Sequence, residues 1–156
     1  MKDVVITYGT FDLFHVGHVR LLKRLKALGD KLVVGISSDE FNKIKGKTSF
    51  FSYDERAEIV GACKYVDEVF AEHHWEQKID DIIRYNATIF AMGDDWKGRF
   101  DHLEPYCKVI YLQRTEEIST TSIKSQLSQI NRSELDRIQN SLHDVIEIVK
   151  AMGPQQ

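Results

Sequence analysis

Residues 4–25 read VVITYGTFDLFHVGHVRLLKRL, and this stretch decides the fold. The run from Val4 to Tyr8 is nearly all apolar, as in a strand buried on both faces, and residues 19–25 carry leucines at helical spacing. A strand that leads directly into a helix is the first unit of an open α/β sheet, where ligands bind beyond the carboxyl ends of the strands. Because helix N-termini attract phosphate, we expect an anion site at residues 9–18.

The same alternation of strand and helix patterns continues along the chain. Further strands are predicted over residues 31–37, 66–70, 88–92 and 108–112, and helices over 52–64 and 77–85. This order predicts an α/β fold, a Rossmann-like, doubly wound, parallel five-stranded sheet with a C-terminal helical extension. Residues 42–51 contain three lysines and have no clear period, so a mobile loop is expected there.

The character of the sequence changes near residue 130. A narrow apolar stripe begins there, with steps of three and four residues: Leu135, Ile138, Leu142, Val145, Val149 and Met152. We therefore predict one domain over residues 1–130 and an amphipathic helix over 131–156. Such a stripe suits pairing with a second helix, so a homo-oligomer, in the simplest case a dimer, is expected. Packing of the helix on its own domain is the alternative.

Composition excludes several classes of protein. The chain has 156 residues and a formal net charge of −3, which argues against general nucleic-acid binding. No apolar run reaches the roughly 20 residues that a membrane span needs, and no signal pattern is seen at the N-terminus. A cytoplasmic protein without membrane insertion is expected. Cys63 and Cys107 are too few and too far apart for a disulfide framework or a zinc knuckle, so they are interpreted as buried thiols.

His15 and His18 are three residues apart and are expected on one face of the first helical turn. A pair of this kind could bind a metal or could be structural. A catalytic zinc site, however, needs a third ligand and usually a nearby glutamate base, and no glutamate lies between the two histidines. The flanking residues favour phosphate chemistry: Gly9 allows close approach of a ligand, and Thr10 offers a hydroxyl and an N–H. Asp12 can fix the turn, and Gly17 leaves space between the imidazoles.

These residues carry a resemblance to a known family. Gly9-Thr10-Phe11-Asp12-x-x-His15-x-Gly17-His18 resembles the GTFDxxHxGH motif of the cytidylyltransferases, within the HxGH nucleotidyltransferase superfamily. Residues 114–123, RTEEISTTSI, resemble that family's RTEGISTT motif, with Glu117 where the pattern has glycine. The resemblance runs from about residue 5 to residue 127 and does not cover the tail. Within the family it is strongest to the branch whose acceptor is glycerol 3-phosphate.

The resemblance implies a reaction and its substrates. Such enzymes convert CTP and glycerol 3-phosphate, or a similar phosphorylated polyol, to CDP-glycerol and pyrophosphate for teichoic-acid-like or capsular polymers. The acceptor phosphate attacks the α-phosphorus directly, so the protein acts by positioning and charge stabilisation. Mg²⁺ is expected to arrive with the triphosphate, since nothing in the sequence forms a dedicated metal site.

The resemblance also assigns roles to residues. The predicted catalytic residues are His15, His18, Lys45 and Arg114. The predicted substrate-binding residues are Gly9, Thr10, Phe11, Asp12, Gly17, Lys45, Lys47, Arg56, Trp75, Lys78, Gly93, Asp94, Asp95, Arg114, Thr115, Ile118, Ser119, Thr120 and Thr121. In this scheme the lysines neutralise phosphates of both substrates, and Lys78 and Trp75 belong to the acceptor pocket. The segment from Arg114 to Thr120 also makes physical sense by itself, because Ser119 and Thr120 can cap a helix N-terminus that holds phosphate.

Two other nucleotide-binding motifs do not fit this sequence. Gly46-Lys47-Thr48 imitates the end of a P-loop, but that motif requires glycine at position 41, where this chain has Phe41. The glycine spacing of a dinucleotide-binding dehydrogenase is not present after the first strand. Two alternatives stay open. The protein could transfer the cytidylyl group to another polyol phosphate or to an amino-alcohol phosphate, such as choline or ethanolamine phosphate. It could also be a non-catalytic regulator that binds a nucleotide.

Overall fold

In the computed structural model, which describes residues 1–114 and 119–153, strands and helices alternate as the sequence predicts. The strands are β1 (Val4–Gly9), β2 (Lys31–Ser37), β3 (Glu68–Glu72), β4 (Ile89–Gly93) and β5 (Lys108–Leu112). The helices are α1 (Val16–Lys26), α2 (Asp39–Ile44), α3 (Tyr53–Gly61), α4 (Lys78–Tyr85) and α5 (Thr120–Ala151). Short 3₁₀ turns occur at Trp75–Gln77, Asp94–Trp96 and Asp101–Leu103.

The five strands form one parallel sheet in the order β3-β2-β1-β4-β5. The chain moves outward from β1 to β3 and then crosses to β4 on the other side of β1, so the direction of winding switches between β1 and β4. Strands β1 and β2 are paired over six residues, whereas β1 and β4 are paired only at Val5–Ile89 and Ile6–Phe90. Because β1 and β4 are not paired near their carboxyl ends, a crevice at this switch point is the expected ligand site.

Both faces of the sheet are buried, as a doubly wound sheet requires. Val5 of β1 lies in a cluster with Leu22 and Leu25 of α1 and with Val60 of α3. Its neighbour Ile6 points to the opposite face and lies in a second cluster with Ile82 of α4. This alternation explains the nearly continuous apolar run at the start of the chain. The predicted five-stranded parallel α/β fold is confirmed.

Several elements differ from the sequence prediction. Helix α3 ends at Gly61, three residues before its predicted end. Residues 39–44 form α2 where part of a loop was predicted, because Ser38 caps the helix by accepting a hydrogen bond from the Phe41 N–H. Strand β3 begins and ends two residues later than predicted, since it pairs with β2 from Val33–Glu68 to Ser37–Glu72. The tail is part of one helix that begins at Thr120, not a separate helix near residue 131.

The chain divides into two compact units, residues 1–118 and 119–156. The division falls at the start of α5, whereas the predicted boundary at 130/131 lies inside this helix. Every described residue from 125 onward is exposed, and the apolar stripe of α5 is more than half exposed at each of its positions. Within the described residues, none of the helices combines the length and the apolar character that crossing a bilayer would require.

Candidate active site

The turn between β1 and α1 has an unusual backbone. Phe11 and Leu13 have φ angles of 53° and 49°, in the left-handed region that residues with a Cβ rarely adopt. Gly9 makes room for this turn, because a Cβ at that position would come within 2.7 Å of the Phe11 ring. Such strain in a loop at the carboxyl end of a central strand is typical of functional sites.

His15 and His18 form the N-terminal cap of α1. The Nδ1 atom of His15 accepts a hydrogen bond from the Gly17 N–H at 3.1 Å, and Nδ1 of His18 accepts one from the His15 N–H at 3.2 Å. Because Nδ1 is the acceptor in both rings, the neutral imidazoles carry their proton on Nε2. The rings stack with their centroids 3.9 Å apart, so they present two N–H donors side by side.

Burial keeps both rings neutral. The ring of His18 stacks on Phe14 and meets the edge of Phe11. The pKa of His18 is lowered to about 4, mainly by loss of solvent and in smaller part by nearby His15, while Asp12 opposes the shift. Burial also lowers the pKa of His15. At neutral pH the pair therefore acts as a source of hydrogen bonds rather than as two cations.

The segment that follows α2 is tied to the same turn. The buried carboxylate of Asp12 accepts hydrogen bonds from the N–H groups of Phe50 and Phe51, at 2.7 and 3.0 Å. The Thr10 hydroxyl donates to the side chain of Asn42, 3.0 Å away. These contacts anchor both ends of the lysine-bearing stretch, where the sequence alone predicted a mobile loop.

Arg56 is a structural part of this arrangement. Its side chain is fully buried, and the guanidinium donates to the carbonyl oxygens of Phe51 and Thr10 and to Asp39, at 3.1, 2.9 and 2.9 Å. These bonds join α3 to the β1–α1 turn and to α2. In this geometry Arg56 positions the turn, and its direct contact with a substrate phosphate stays a prediction.

Replacement of Arg56 by methionine is expected to lower the free energy of unfolding by about 3 kcal/mol, because two partly buried carbonyl groups and the carboxylate of Asp39 lose their donors. Urea unfolding followed by circular dichroism measures the change. The matched control is Arg84→Met on the exposed surface of α4, where we expect a change below about 0.5 kcal/mol. Equal effects of the two substitutions would contradict the structural role of Arg56.

Lys45 and Lys78 approach one buried carboxylate from different elements. Glu72, the last residue of β3, is 2% exposed and accepts hydrogen bonds from Lys78 Nζ at 2.6 Å and from the Ser37 hydroxyl at 3.0 Å. The Ser37 Oγ in turn accepts a hydrogen bond from Lys45 Nζ at 2.7 Å. Burial lowers the pKa of Lys45 to about 8; Glu72 opposes this shift, while Lys47, Lys78 and Arg56 add to it.

Sequence reasoning missed Ser37 and Glu72. Both are the last residues of their strands, and the register between β2 and β3 places them opposite each other. The alternation of strand and helix could have indicated the carboxyl edge of the sheet as a place to search. A polar residue at the end of β3 was hidden because this strand was predicted to end at residue 70.

A cavity of about 340 Å³ lies next to Lys78, and its lining combines aromatic and charged side chains: Trp75, Glu76, Lys78, Trp96, Arg99, Phe100 and His102. Trp75 and Lys78 are the predicted acceptor-pocket residues, and the structure brings them together. The aromatic lining suits the carbon face of a small molecule, while the cations suit a phosphate. Trp96, Arg99, Phe100 and His102 were not singled out from the sequence.

The remaining predicted residues lie at other strand ends. Gly93 ends β4, and a Cβ there would come within 2.7 Å of the Asp95 carboxylate, so the 3₁₀ turn of Asp94 and Asp95 folds closely over the strand end. Lys47 is exposed beyond α2, and Arg114 is exposed beyond β5. Their contacts with substrate stay predictions.

The second predicted motif is described only in part. Ser119 caps α5 by accepting a hydrogen bond from the Ser122 N–H at 3.0 Å, and Thr120 and Thr121 form the first turn, as predicted. Thr115, Ile118 and the unusual Glu117 lie outside the described residues.

Both the sequence and the fold are similar to those of known proteins. A family model described as cytidylyltransferase-like matches residues 6–126. The glycerol-3-phosphate cytidylyltransferase of Bacillus subtilis is 57% identical over 80% of this chain and 96% of its own length, and that of Staphylococcus aureus is 51% identical over 79% and 93%. The crystal structure of a lipopolysaccharide core biosynthesis protein from Thermoplasma volcanium covers 74% of this chain and all of its own, with a TM-score of 0.65 and 26% identity.

Proposed function

The chain belongs to the cytidylyltransferase-like family, and from this premise we propose that it converts CTP and glycerol 3-phosphate to CDP-glycerol and pyrophosphate. The observation that carries the proposal is the stacked pair of His15 and His18, which follows β1, the strand beside the switch point of the sheet. Nucleotide phosphates bind at this place in open α/β sheets. The use of the product for teichoic-acid-like or capsular polymers follows the family resemblance.

In the proposed mechanism, a phosphate oxygen of the acceptor attacks the α-phosphorus of CTP in line, and pyrophosphate leaves as the bond to the bridging oxygen breaks. The two Nε2–H groups donate hydrogen bonds to the phosphate oxygens on which negative charge grows. Because the donors are held by their own Nδ1 contacts, they need not reorganise during the reaction. No covalent enzyme intermediate is required.

Cations complete the proposed mechanism. The ammonium of Lys45 is held by Ser37 Oγ, which donates to the same carboxylate, Glu72, that holds Lys78. Lys45 would bring the acceptor phosphate and the triphosphate together. By the family resemblance, Arg114, Ser119 and Thr120 would hold the β- and γ-phosphates, and Lys47 would neutralise phosphates of both substrates. Gly93 with Asp94 and Asp95 would contact the nucleotide through the backbone and a carboxylate.

We propose that Mg²⁺ binds as a complex with CTP, held by the phosphate oxygens. Residues 1–114 and 119–153 contain no group of three or more His, Cys, Asp or Glu side chains arranged to hold a metal ion. The ion would neutralise charge on the triphosphate and orient it.

The assay for the proposed function measures pyrophosphate release from each of the four nucleoside triphosphates with a panel of phosphorylated polyols and amino alcohols. We expect release with CTP and glycerol 3-phosphate at a kcat/KM above that of every other pair. Faster turnover with ATP would contradict the assignment of the base. Absence of release with every pair, while CTP still binds, would favour a non-catalytic regulator.

We propose that α5 pairs with α5 of a second copy of the chain, so that the protein is a dimer. The helix carries four cations and four anions between residues 120 and 151, which suits a protein partner better than an anionic membrane. Each copy carries the same apolar stripe, so two α5 helices related by a two-fold axis would bury their stripes against each other. The cytoplasm is the proposed compartment, consistent with the two free thiols Cys63 and Cys107.

Replacement of Leu142 by aspartate is expected to convert the dimer to a monomer, because a charge at the centre of the stripe would be buried without a partner. Sedimentation equilibrium measures the mass. The matched control is Asn140→Asp, which adds the same charge on the opposite face of α5 and should leave the dimer intact. A wild-type monomer, or an L142D variant with the wild-type mass, would contradict the pairing of α5.

A further inference from the structure

Lys78 occupies an unusual environment for a lysine. Its side chain is 4% exposed, and its ammonium lies 4.5 Å from the ring centroid of Tyr8, 4.9 Å from that of Trp75 and 5.5 Å from that of Phe100. These three rings form an aromatic box around one positive charge. Such boxes recognise quaternary ammonium ligands, choline among them, through the negative faces of the rings. In this chain the box is filled by the protein's own cation.

The ammonium is fixed in the box. Glu72 Oε2 accepts its hydrogen bond at 2.6 Å, and both side chains are almost fully buried. The second oxygen of Glu72 is held by Ser37, so the carboxylate cannot turn away from Lys78 without losing that contact. Movement of Lys78 out of the box would leave the charge of Glu72 buried and unpaired, which is strongly unfavourable.

Other cations cover the remaining aromatic faces near the cavity. Lys45 Nζ lies 5.8 Å from the ring centroid of Trp75, and the guanidinium carbon of Arg99 lies 5.5 Å from that of Trp96. The charged groups among the cavity residues are Lys78, Arg99 and Glu76, with His102 as a further titratable group. A cationic ligand entering this cavity would therefore meet like charges and occupied rings.

We propose that Lys78 determines the choice of acceptor: its ammonium fills the aromatic box and thereby excludes acceptors that carry their own ammonium group. The acceptors that remain are phosphates whose other end is an uncharged polyol. This inference rests on the proposed cytidylyl transfer, and it adds the reason why amino-alcohol phosphates are rejected. Lys78 is then a specificity-determining residue of the acceptor site.

The test compares kcat/KM for glycerol 3-phosphate, phosphoethanolamine and phosphocholine, with CTP at saturation. Lys78→Ala empties the box and leaves Glu72 to attract a cation. We expect the ratio of phosphocholine to glycerol 3-phosphate to rise about tenfold or more, as a desolvated cation–aromatic contact allows. The double variant K78A/E72Q empties the box without leaving a buried charge unpaired, so it can be measured even if K78A does not fold. The matched control is Lys108→Ala on the exposed start of β5.

The outcomes separate this inference from the proposed function. A wild-type enzyme that is inactive with glycerol 3-phosphate contradicts the proposed function and this inference with it. A wild-type enzyme that is active, with variants that lose kcat/KM by the same factor for all three acceptors, supports the reaction but overturns the role of Lys78 in selection. That second result would assign Lys78 to the phosphate, which the three acceptors share.

Discussion

Replacement of His18 by alanine is expected to lower kcat by about 10²–10³-fold, the usual effect of removing one donor to charge that develops in the transition state. The ring has two separable roles: in the structure Nδ1 caps α1 by accepting from the His15 N–H, and in the proposed mechanism Nε2–H donates to the phosphates. Steady-state pyrophosphate release measures kcat, and circular dichroism shows whether the fold is retained.

A second substitution separates these two roles. The amide of asparagine can replace Nδ1 as the acceptor at the cap, but it does not reach the position of Nε2. His18→Asn is therefore expected to be as inactive as His18→Ala while retaining more of the wild-type stability. His143→Ala on α5 is the matched control, because its imidazole is exposed, and it should keep wild-type turnover. Near-normal kcat in H18N would contradict the role assigned to Nε2.

The lowered pKa of His18 predicts at which pH the activity is lost on the acidic side. An ordinary imidazole with a pKa near 6.5 would become protonated between pH 7 and pH 5. With a pKa of about 4, His18 stays neutral in this range and protonates only as the pH falls further. Protonation would place a hydrogen on Nδ1 and break its contact with the His15 N–H. The acidic limb of the pH profile is therefore expected well below pH 6.

Replacement of Lys45 by methionine is expected to lower kcat/KM by about a hundredfold, because one cation that faces both substrates is lost. Lys43→Met is the matched control: it removes the same charge two residues earlier, from an exposed position. Its kcat/KM should stay close to that of the wild type. Equal losses in both variants would indicate a general effect of net charge rather than a placed ammonium.

Lys45 also predicts the alkaline limb of the pH profile. Burial lowers its pKa to about 8, so the positive charge is present below this pH and is lost as the pH rises through it. Activity should therefore decline above about pH 8. Lys45→Arg keeps its charge throughout this range, and the decline should move to higher pH in that variant. An unchanged alkaline limb would exclude Lys45 as its source.

The sequence alone was sufficient for the local parts of this site. The apolar run at Val4–Tyr8 and the spacing of His15 and His18 act between close neighbours in the chain, and the structure contains both. The five-stranded parallel sheet followed from the alternation of patterns. Each of these predictions depends on the spacing of apolar residues, or on a motif, within one continuous segment of the chain.

The parts that were missed depend on register between distant segments. Glu72 meets Ser37 only because β3 pairs with β2 in one particular alignment, and a shift of two residues in the predicted strand left Glu72 in a loop. Arg56 was predicted to contact a substrate phosphate, yet its three partners in the structure come from separate elements of the protein. The aromatic box around Lys78 could not be predicted, because Tyr8 and Phe100 are far from Lys78 in the sequence.

The most direct test of the central claim is a crystal structure of the protein with CTP and Mg²⁺. We predict that phosphate oxygens of CTP lie within hydrogen-bond distance, about 3 Å, of Nε2 of both His15 and His18. A nucleotide bound elsewhere, with both Nε2 atoms turned away from its phosphates, would contradict the role of the two histidines in phosphate binding.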